Sequence, residues 1–274
     1  MDTPSPTEPP VLVTRAGAVA TVTLNRAAAM NSLDVAAKDA LLAAVRGLAA
    51  DPAVRAVVLT GSGRAFCVGQ DLREFAAQRA PHKGGTPTAG QVFATVVEHY
   101  APISDALATM PKPVVAAVNG AAAGAGFSLA LAADFRVAAE KASFTPAFGA
   151  IGLSPDTGMS WYLPRIVGAA KATEILMLGA TLSAADALAL GLVTSVVPAE
   201  DLAGAAADLA ARLAEGPTVA YAHIRRLLAY SATHSLADTL RLEHELIVAA
   251  GATADHADSV AAFLDKRKAE FRGA

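Results

Sequence analysis

The longest nearly apolar stretch of the chain, residues 114–133, is the feature that most restricts its fold. A stretch of about 20 apolar residues is long enough to cross a bilayer as a helix. This one is interrupted by Asn119 and Gly120, and it ends at the charged residue Asp134. The turn-forming pair predicts a buried strand, a turn and a buried helix, and it argues against a membrane span.

Strand and helix patterns alternate through the first two-thirds of the chain, which indicates an α/β protein with a parallel sheet. Alternating β-branched residues predict a hairpin over residues 11–25, and Ser32 is predicted to cap a helix that reaches Ala50. After Pro198 the composition is almost wholly helical. Further strands are predicted over residues 54–60, 114–118, 135–138 and 192–197, and further helices from Asp71 and over residues 91–109.

Composition excludes several classes of protein. Hydrophobic residues make up 54% of the 274 residues, so the chain can bury a large core. The net charge of −3, without a long Lys/Arg cluster, argues against nucleic acid as a partner. The single cysteine, Cys67, rules out a disulfide framework, and the six histidines lack the spacing of a metal site. The Pro-rich start of the chain has no apolar signal-peptide core, so we expect a cytoplasmic protein.

Two predicted strands run into turns of small residues that open a helix. The turn segments are 61–72 (GSGRAFCVGQDL) and 119–126 (NGAAAGAG). Such turns present free backbone N–H groups at the positive end of a helix dipole, which suits an anion or a developing oxyanion. Neither has the spacing of a nucleotide-phosphate loop or a dinucleotide fingerprint. Ser128, in GFSLA, approaches the serine-hydrolase motif, but it does not directly follow its strand as that motif requires.

The two turns and the segments around them strongly resemble the enoyl-CoA hydratase/isomerase (crotonase) family. The resemblance covers nearly the whole chain, from about residue 11 to residue 271, and the motifs occur in the family's order. The matching segments are VRAVVLTGSGRAFCVGQDL, PKPVVAAVNGAAAGAGFSLALAADFRVAAEKASF, GLSPDTGMSWYLPRIVGAAKATEILMLG, LSAADALALGLVTSVVP and AAFLDKRKAEF.

The resemblance implies a crotonase-like spiral of ββα units and a helical region that assembles trimers or pairs of trimers. We therefore expect a disordered tail over residues 1–10, a spiral acyl-CoA-binding core over 11–198 and a helical oligomerisation region over 199–274. Coenzyme A is expected to enter as part of the thioester substrate, with no separate cofactor and no metal.

By the same resemblance, an oxyanion hole stabilises the enolate that forms at the thioester carbonyl. Its donors are the backbone N–H groups of Gln70 and Ala125, in turns supported by Gly69, Gly124 and Gly126. A thioester α-proton is only weakly acidic until the carbonyl charge is stabilised, so the chemistry needs such donors.

The acid/base residues depart from the hydratase pattern. Typical hydratases of this family hold two glutamates, and Ser128 and Phe148 stand at the matching positions, where we expect them to line the acyl pocket. Asp156, in LSPDTG, stands where the isomerase and dehalogenase branches place an acid. One carboxylate is enough for a double-bond shift, because it can take a proton from one carbon and return it to another. The alternative is that Asp156 only caps the following helix.

The phrases VGQDL, AAAGAGFSLALAAD and GLSPDTG most resemble the phenylacetate-pathway isomerase branch, so an enoyl-CoA isomerase is the favoured function. A dehalogenase would need a helping histidine, for which His99 is the candidate. The sequence is also compatible with residual hydratase activity and with a catalytically silent acyl-CoA binder. Asp71 and Asp134 are expected to satisfy helix ends or backbone groups.

The resemblance also places coenzyme A against three segments of the chain. Arg26 is expected to reach a phosphate, and the backbone around Arg64 is expected to line the adenine pocket. Positions in the last helix match residues that reach the coenzyme A of a neighbouring subunit, and the loop over residues 78–92 is expected to border the acyl tunnel. The expected contacts are Arg26, Ala28, Arg64, Ala65, Phe66, Phe263 and Lys266.

Overall fold

The computed structural model describes residues 8–81 and 85–274. The strands within these residues are β1 (Val11–Ala16), β2 (Val19–Leu24), β3 (Ala56–Gly61), β4 (Ala65–Cys67), β5 (Val114–Val118), β6 (Ala121–Ala123), β7 (Phe135–Ala139), β8 (Ser143–Thr145), β9 (Leu182–Ser183) and β10 (Ser195–Val197). The helices are α1 (Val35–Ala50), α2 (Leu72–Arg79), α3 (Ala89–Val92), α4 (Ala101–Ala108), α5 (Ala125–Ala132), α6 (Met159–Val167), α7 (Ala169–Leu178), α8 (Ala184–Ala189), α9 (Leu202–Ala214), α10 (Thr218–Ser231), α11 (Leu236–Gly251) and α12 (Ala254–Leu264).

The strands form two sheets, and the chain passes repeatedly from one to the other. The larger sheet has the order β1-β2-β3-β5-β7-β10, parallel except for the β1–β2 hairpin. The smaller sheet has the order β4-β6-β8-β9. Each of β3, β5 and β7 is followed by a short strand of the smaller sheet and then by a helix, namely α2, α5 and α6. The expected spiral of ββα units is therefore confirmed.

The larger sheet is covered by helices on both faces, which explains why its central strands β3 and β5 are almost wholly apolar. Val57 and Leu59 of β3 face the main core, which also contains residues of α1, α4 and α5. Ala56 and Val58 face the opposite way, against Leu202, Ala206 and Ala210 of α9. The larger sheet is thus a buried scaffold. A functional site is expected at its connections and at the ends of the smaller sheet.

The stretch over residues 114–133 folds as predicted into a buried strand, a turn with a second short strand, and a buried helix. Among the described residues, no helix is long and apolar enough to cross a membrane. The predicted cap at Ser32 is wrong, because Asp34 caps α1 by accepting a 2.8 Å hydrogen bond from Ala37 N. Ser32 instead donates to Asp71 Oδ2 at 3.2 Å.

The structure describes the expected N-terminal tail only in part. Residues 1–7 of the expected tail lie outside the described residues, and Asn25 donates hydrogen bonds to the carbonyl oxygens of Pro9 and Pro10. At the other end, α9 packs against one face of the larger sheet. Helices α10–α12 carry many of the apolar side chains that this chain leaves exposed, namely Ile224, Leu228, Leu236, Leu240, Ile247, Val248, Val260, Phe263 and Leu264.

Candidate active site

A cavity of about 930 Å³ opens where the ends of β4 and β6 meet the helices that follow them. Its wall combines backbone turns, aromatic rings and a few charged groups. Of the residues singled out from the sequence, it brings together Arg26, Ala28, Arg64, Gly69, Gln70, Gly124, Ala125, Phe148 and Asp156. It does not include Ala65, Phe66, Gly126, Ser128, Phe263 or Lys266.

The two glycine turns touch one another because β4 and β6 are parallel neighbours that end at the same edge. Gly69 (φ +84°) and Gly124 (φ +52°) both adopt left-handed conformations that favour glycine. A Cβ atom on Gly69 would lie 3.1 Å from Ala123 O and 3.2 Å from Ala125 N. A larger residue at position 69 would therefore press against the backbone of the second turn.

Gly126 explains how α5 comes so close to β4. A Cβ atom at this position would overlap the carbonyl oxygen of Cys67. Gly126 does not line the cavity itself, and its contribution is to let the first turn of α5 rest directly on the β4 backbone.

The backbone N–H groups of Gln70 and Ala125 are not required by the surrounding secondary structure. Leu33 N donates to Gly69 O at 2.7 Å, and Leu33 O accepts from Asp71 N at 3.0 Å. In such a parallel bridge the N–H of the central residue, Gln70, faces away from Leu33. Ala125 is the first residue of α5, where an N–H has no partner within the helix.

Asp156 lies in the wall of the cavity, half-buried. Burial raises the pKa of its carboxyl group, while a hydrogen bond from the Thr157 hydroxyl to Oδ1 (2.7 Å) opposes the increase. The backbone here is fixed, because Ser128 Oγ donates to Asp156 O at 3.2 Å and Ser104 Oγ donates to Thr157 O at 3.1 Å. Helix α6 follows Gly158 with no side-chain cap, so the alternative in which Asp156 caps that helix is wrong.

Ser128 and Phe148, both expected in the acyl pocket, lie at different depths. The Phe148 ring lines the cavity. Ser128 is fully buried behind the cavity wall, where its hydroxyl bonds the carbonyl oxygens of Gly124 (3.4 Å) and Asp156. The hydroxyl thus joins α5 to the aspartate segment, and burial keeps it away from a ligand in the cavity.

The residues expected to bind coenzyme A are also dispersed. Arg64 is exposed at the cavity, whereas Ala65 and Phe66 are completely buried in β4. Arg26 lines the cavity, but its Nη2 lies 2.9 Å from carboxylate oxygens of both Asp34 and Asp71. Ala28 lies in the 3-10 turn Ala27–Ala29, also at the cavity.

At the C-terminus, the Phe263 side chain is 83% exposed and Lys266 is also exposed. Both are outside the cavity of their own chain. The loop expected over residues 78–92 contains the end of α2 and all of α3, and residues 82–84 lie outside the described part of the chain.

His99, the candidate helper of a dehalogenase, is held away from the cavity. Its Nδ1 lies 3.1 Å from Thr95 Oγ1, and its Nε2 lies 3.6 Å from Asp39 Oδ1. Among the described residues, no histidine lines the cavity, and no cluster of three His, Cys, Asp or Glu side chains could hold a metal ion.

Two other acidic residues have the local roles that the sequence predicts. Asp71 caps α2 by accepting from Arg73 N and Glu74 N. Asp134 accepts a 2.7 Å hydrogen bond from Val114 N.

Sequence reasoning missed two residues that contact Gln70. Tyr100 reaches the cavity, and its hydroxyl donates to Gln70 Oε1 at 2.8 Å. The wholly buried Lys38 donates to the same oxygen at 3.2 Å. Both residues lie within helical patterns. The one signal available in the sequence concerned Lys38, a lysine on the apolar side of a predicted amphipathic helix.

Comparison with known proteins agrees with this fold. The family model described as enoyl-CoA hydratase/isomerase matches residues 14–274. The chain belongs to this family, which is a family of enzymes, and the crotonase fold and the family expected from the sequence are thereby confirmed.

Particular relatives include both isomerases and hydratases. The chain is 40% identical to 1,2-epoxyphenylacetyl-CoA isomerase of Escherichia coli K12, over 93% of this chain and 95% of that protein. It is 34% identical to trans-2-decenoyl-[acyl-carrier-protein] isomerase of Streptococcus mutans, with the same coverage of both chains. The crystal structure of an enoyl-CoA hydratase from Polaromonas sp. JS666 superposes with a TM-score of 0.88 at 37% identity, covering 95% of this chain and 99% of that one.

Proposed function

We propose that this protein is an enoyl-CoA isomerase in which Asp156 is the single acid/base. The observation that carries the proposal is that Asp156 differs from the other carboxylates lining the cavity. Within the described residues, Asp34 and Asp71 pair with Arg26, and Glu74 lies 3.9 Å from Lys38. Asp156 has no such cation, and burial raises its pKa. A carboxylate with a raised pKa is a stronger base, and a pKa nearer the working pH suits a group that must both take up and release a proton.

The proposed reaction is a proton transfer within one bound thioester. The Asp156 carboxylate removes a proton from C2 of a 3-enoyl-CoA, and the electrons move into a dienolate whose oxygen accepts hydrogen bonds from Gln70 N–H and Ala125 N–H. The same carboxyl group then returns the proton to C4, which gives the conjugated 2-enoyl-CoA. Each such backbone donor is worth roughly 3–4 kcal/mol in a transition state.

Water addition is the second candidate, since hydratases are among the relatives. Neither of the two positions that typical hydratases fill with glutamate carries a carboxylate here, because Ser128 is buried behind the wall and Phe148 presents a ring. A hydratase would therefore have to activate water with Asp156 alone.

The acyl group is proposed to be bulky and aromatic or ring-derived. Phe75, Phe93, Phe148 and Tyr100 all line the cavity. The Escherichia coli relative carries the name of an isomerase that acts on an epoxide of phenylacetyl-CoA. These two observations support the phenylacetate-type branch over a branch for straight acyl chains.

The proposal extends to the assembly of the protein. The exposed apolar residues of α10–α12 would be covered in a trimer or a pair of trimers, and Phe263 and Lys266 would then be free to reach coenzyme A on a neighbouring copy. Sedimentation would give a mass of three or six times 27.6 kDa. A monomer at micromolar concentration would contradict the assembly.

The deciding experiment follows ultraviolet absorption as a 3-enoyl-CoA becomes a conjugated thioester. The Asp156→Asn variant is expected to lose activity by about 10²- to 10⁴-fold, the usual contribution of general acid–base catalysis, while it still binds butyryl-CoA. Asp105→Asn, at an exposed position outside the cavity, is the matched control.

Hydration is measured in parallel on crotonyl-CoA, as the loss of absorption by its conjugated thioester. Hydration of crotonyl-CoA that survives in Asp156→Asn would overturn both the reaction and its acid. Binding of both thioesters without turnover would indicate a silent acyl-CoA binder.

A further inference from the structure

Lys38 is a charged side chain buried at the back of the candidate active site. It lies on α1 with its side chain wholly inaccessible to solvent. Its Nζ donates to Thr95 Oγ1 at 2.7 Å and to Gln70 Oε1 at 3.2 Å, and it lies 5.2 Å from the centre of the Tyr100 ring. Lysine is almost never fully buried without such partners, because the charge loses its hydration.

Tyr100 reaches the same oxygen from the other side. Its hydroxyl donates to Gln70 Oε1 at 2.8 Å, and burial raises the pKa of the phenol, so it stays protonated as a donor. The Gln70 amide nitrogen donates to Glu74 Oε2 and to Asp71 O, each at 3.3 Å. Both ends of the Gln70 amide are therefore held by hydrogen bonds.

These hydrogen bonds to the Gln70 amide form a clamp. They hold the side chain of the residue whose backbone N–H is a donor in the proposed chemistry. On one side, Leu33 holds the Gln70 backbone through hydrogen bonds to Gly69 and Asp71, the two neighbours of Gln70. On the other side, the clamp holds the Gln70 side chain. The preceding residue, Gly69, has the wide conformational freedom of glycine. Fixing both sides of Gln70 removes that freedom from the peptide group that carries its N–H.

We propose that Lys38 is a positioning residue, which together with Tyr100 clamps the Gln70 side chain and so keeps the Gln70 N–H aimed at the thioester oxygen. The inference rests on the proposed function, because it assumes that this N–H stabilises an enolate. Lys38 itself does not line the cavity, whereas Gln70 and Tyr100 do.

A purely structural role accounts less well for this lysine. Replacing a buried ion by an apolar residue of similar size often leaves a protein as stable or makes it more stable. Lys112, packed at the other end of α1, shows what a structural buried lysine looks like in this chain. Its Nζ donates to the carbonyl oxygens of Leu48 and Asp51 at the end of the helix, and it does not line the cavity.

The test compares Lys38→Met with Lys112→Met as a matched control, and with Tyr100→Phe, which removes one hydroxyl and keeps the ring. The probe is acetoacetyl-CoA, whose enolate has its own ultraviolet absorption, so the enolate fraction of the bound ligand reports the oxyanion hole without turnover. Affinity for butyryl-CoA is measured by calorimetry, and kcat is measured on a 3-enoyl-CoA.

We expect Lys38→Met and Tyr100→Phe each to lower the bound enolate-to-ketone ratio and kcat by about tenfold, a fraction of the loss on removing a whole oxyanion donor. Butyryl-CoA affinity should stay within about twofold, because a ground-state carbonyl carries little charge. Lys112→Met should change thermal stability and leave the enolate ratio as it is in the wild type.

An unchanged enolate ratio in Lys38→Met, or an equal loss of butyryl-CoA affinity, would overturn the proposal. If Lys38→Met does not fold, Tyr100→Phe decides by the same criteria. A wild type that stabilises the enolate without isomerising 3-enoyl-CoA would remove the proposed function and leave the positioning role intact. A wild type that binds acetoacetyl-CoA only as the ketone would remove both.

Discussion

The two halves of the candidate site are fixed by different forces. The half formed by the glycine turns is fixed by the main chain, since the α5 backbone rests on Cys67 O at Gly126 and the Gly69 turn touches Ala125 N. The half formed by Asp156 depends on a side chain whose direct hydrogen bond comes from the Thr157 hydroxyl. The first half has a rigid geometry, and the second has an adjustable proton affinity.

The difference shows which kind of substitution each half tolerates. At Ala125 the side chain can vary because the donor is a backbone group, but the glycines that permit contact between the turns cannot become larger. At Asp156 the backbone can stay as it is while a change in one neighbouring hydroxyl alters the pKa. The two halves should therefore respond to opposite kinds of mutation.

Gly126→Ala is expected to have the largest effect, a loss of about 3 kcal/mol or more in the free energy of unfolding. The new methyl group would overlap Cys67 O, a backbone atom that cannot move without separating α5 from β4. Gly204→Ala is the control, because it lies on α9 with nothing within 4 Å, and it should gain up to about 1 kcal/mol. Urea unfolding of both variants measures the difference, and equal stability would show that packing does not fix this turn.

Gly69→Ala is expected to destabilise the fold less than Gly126→Ala does, and to act more selectively on the bound enolate. The left-handed conformation costs alanine about 1–3 kcal/mol, and the methyl group at 3.1–3.2 Å would push Ala123 O and Ala125 N apart. Gly191→Ala also has a positive φ (+71°) but no neighbour within 4 Å, so it isolates the conformational cost. If the contact matters, only Gly69→Ala lowers the enolate fraction of bound acetoacetyl-CoA. Equal behaviour of the two variants in that assay would contradict the contact.

The same contrast explains how much could be predicted from the sequence. The central strands β3 and β5 of the larger sheet were predictable because they are apolar runs buried on both faces. The strands of the smaller sheet, such as Ala121–Ala123, are two or three residues long, too short for a periodic pattern. The glycine turns were recognisable because backbone approach demands glycine, whereas Lys38 and Tyr100 were not, because a helical pattern does not show which distant residue a side chain meets.

Asp156→Asn is expected to stabilise the folded protein at neutral and alkaline pH. Burial raises the folded-state pKa of this carboxyl above its unfolded value, so Asp156 favours folding only while it is protonated, and that benefit is lost as pH rises through the folded-state pKa. Asparagine stays neutral, so its advantage in Tm should grow with pH and vanish under acid conditions. Thermal melts across the pH range measure it. A Tm advantage independent of pH would mean that ionisation of Asp156 costs the fold nothing.

Thr157→Val should have the smallest effect and the most specific one. The Thr157 hydroxyl lowers the pKa of Asp156 by donating to Oδ1, so its loss should raise that pKa further. Because the ionised carboxylate is the base, the acid limb of the kcat/KM profile should move to higher pH, with little change at its plateau. Valine keeps the shape of threonine at this buried position, and Thr157→Ser keeps the hydroxyl and should leave the limb near its wild-type position. If the acid limb moves equally in Thr157→Val and Thr157→Ser, packing and not the hydroxyl sets the pKa of Asp156. The Asp156 half of the site would then be fixed by shape, as the turns are.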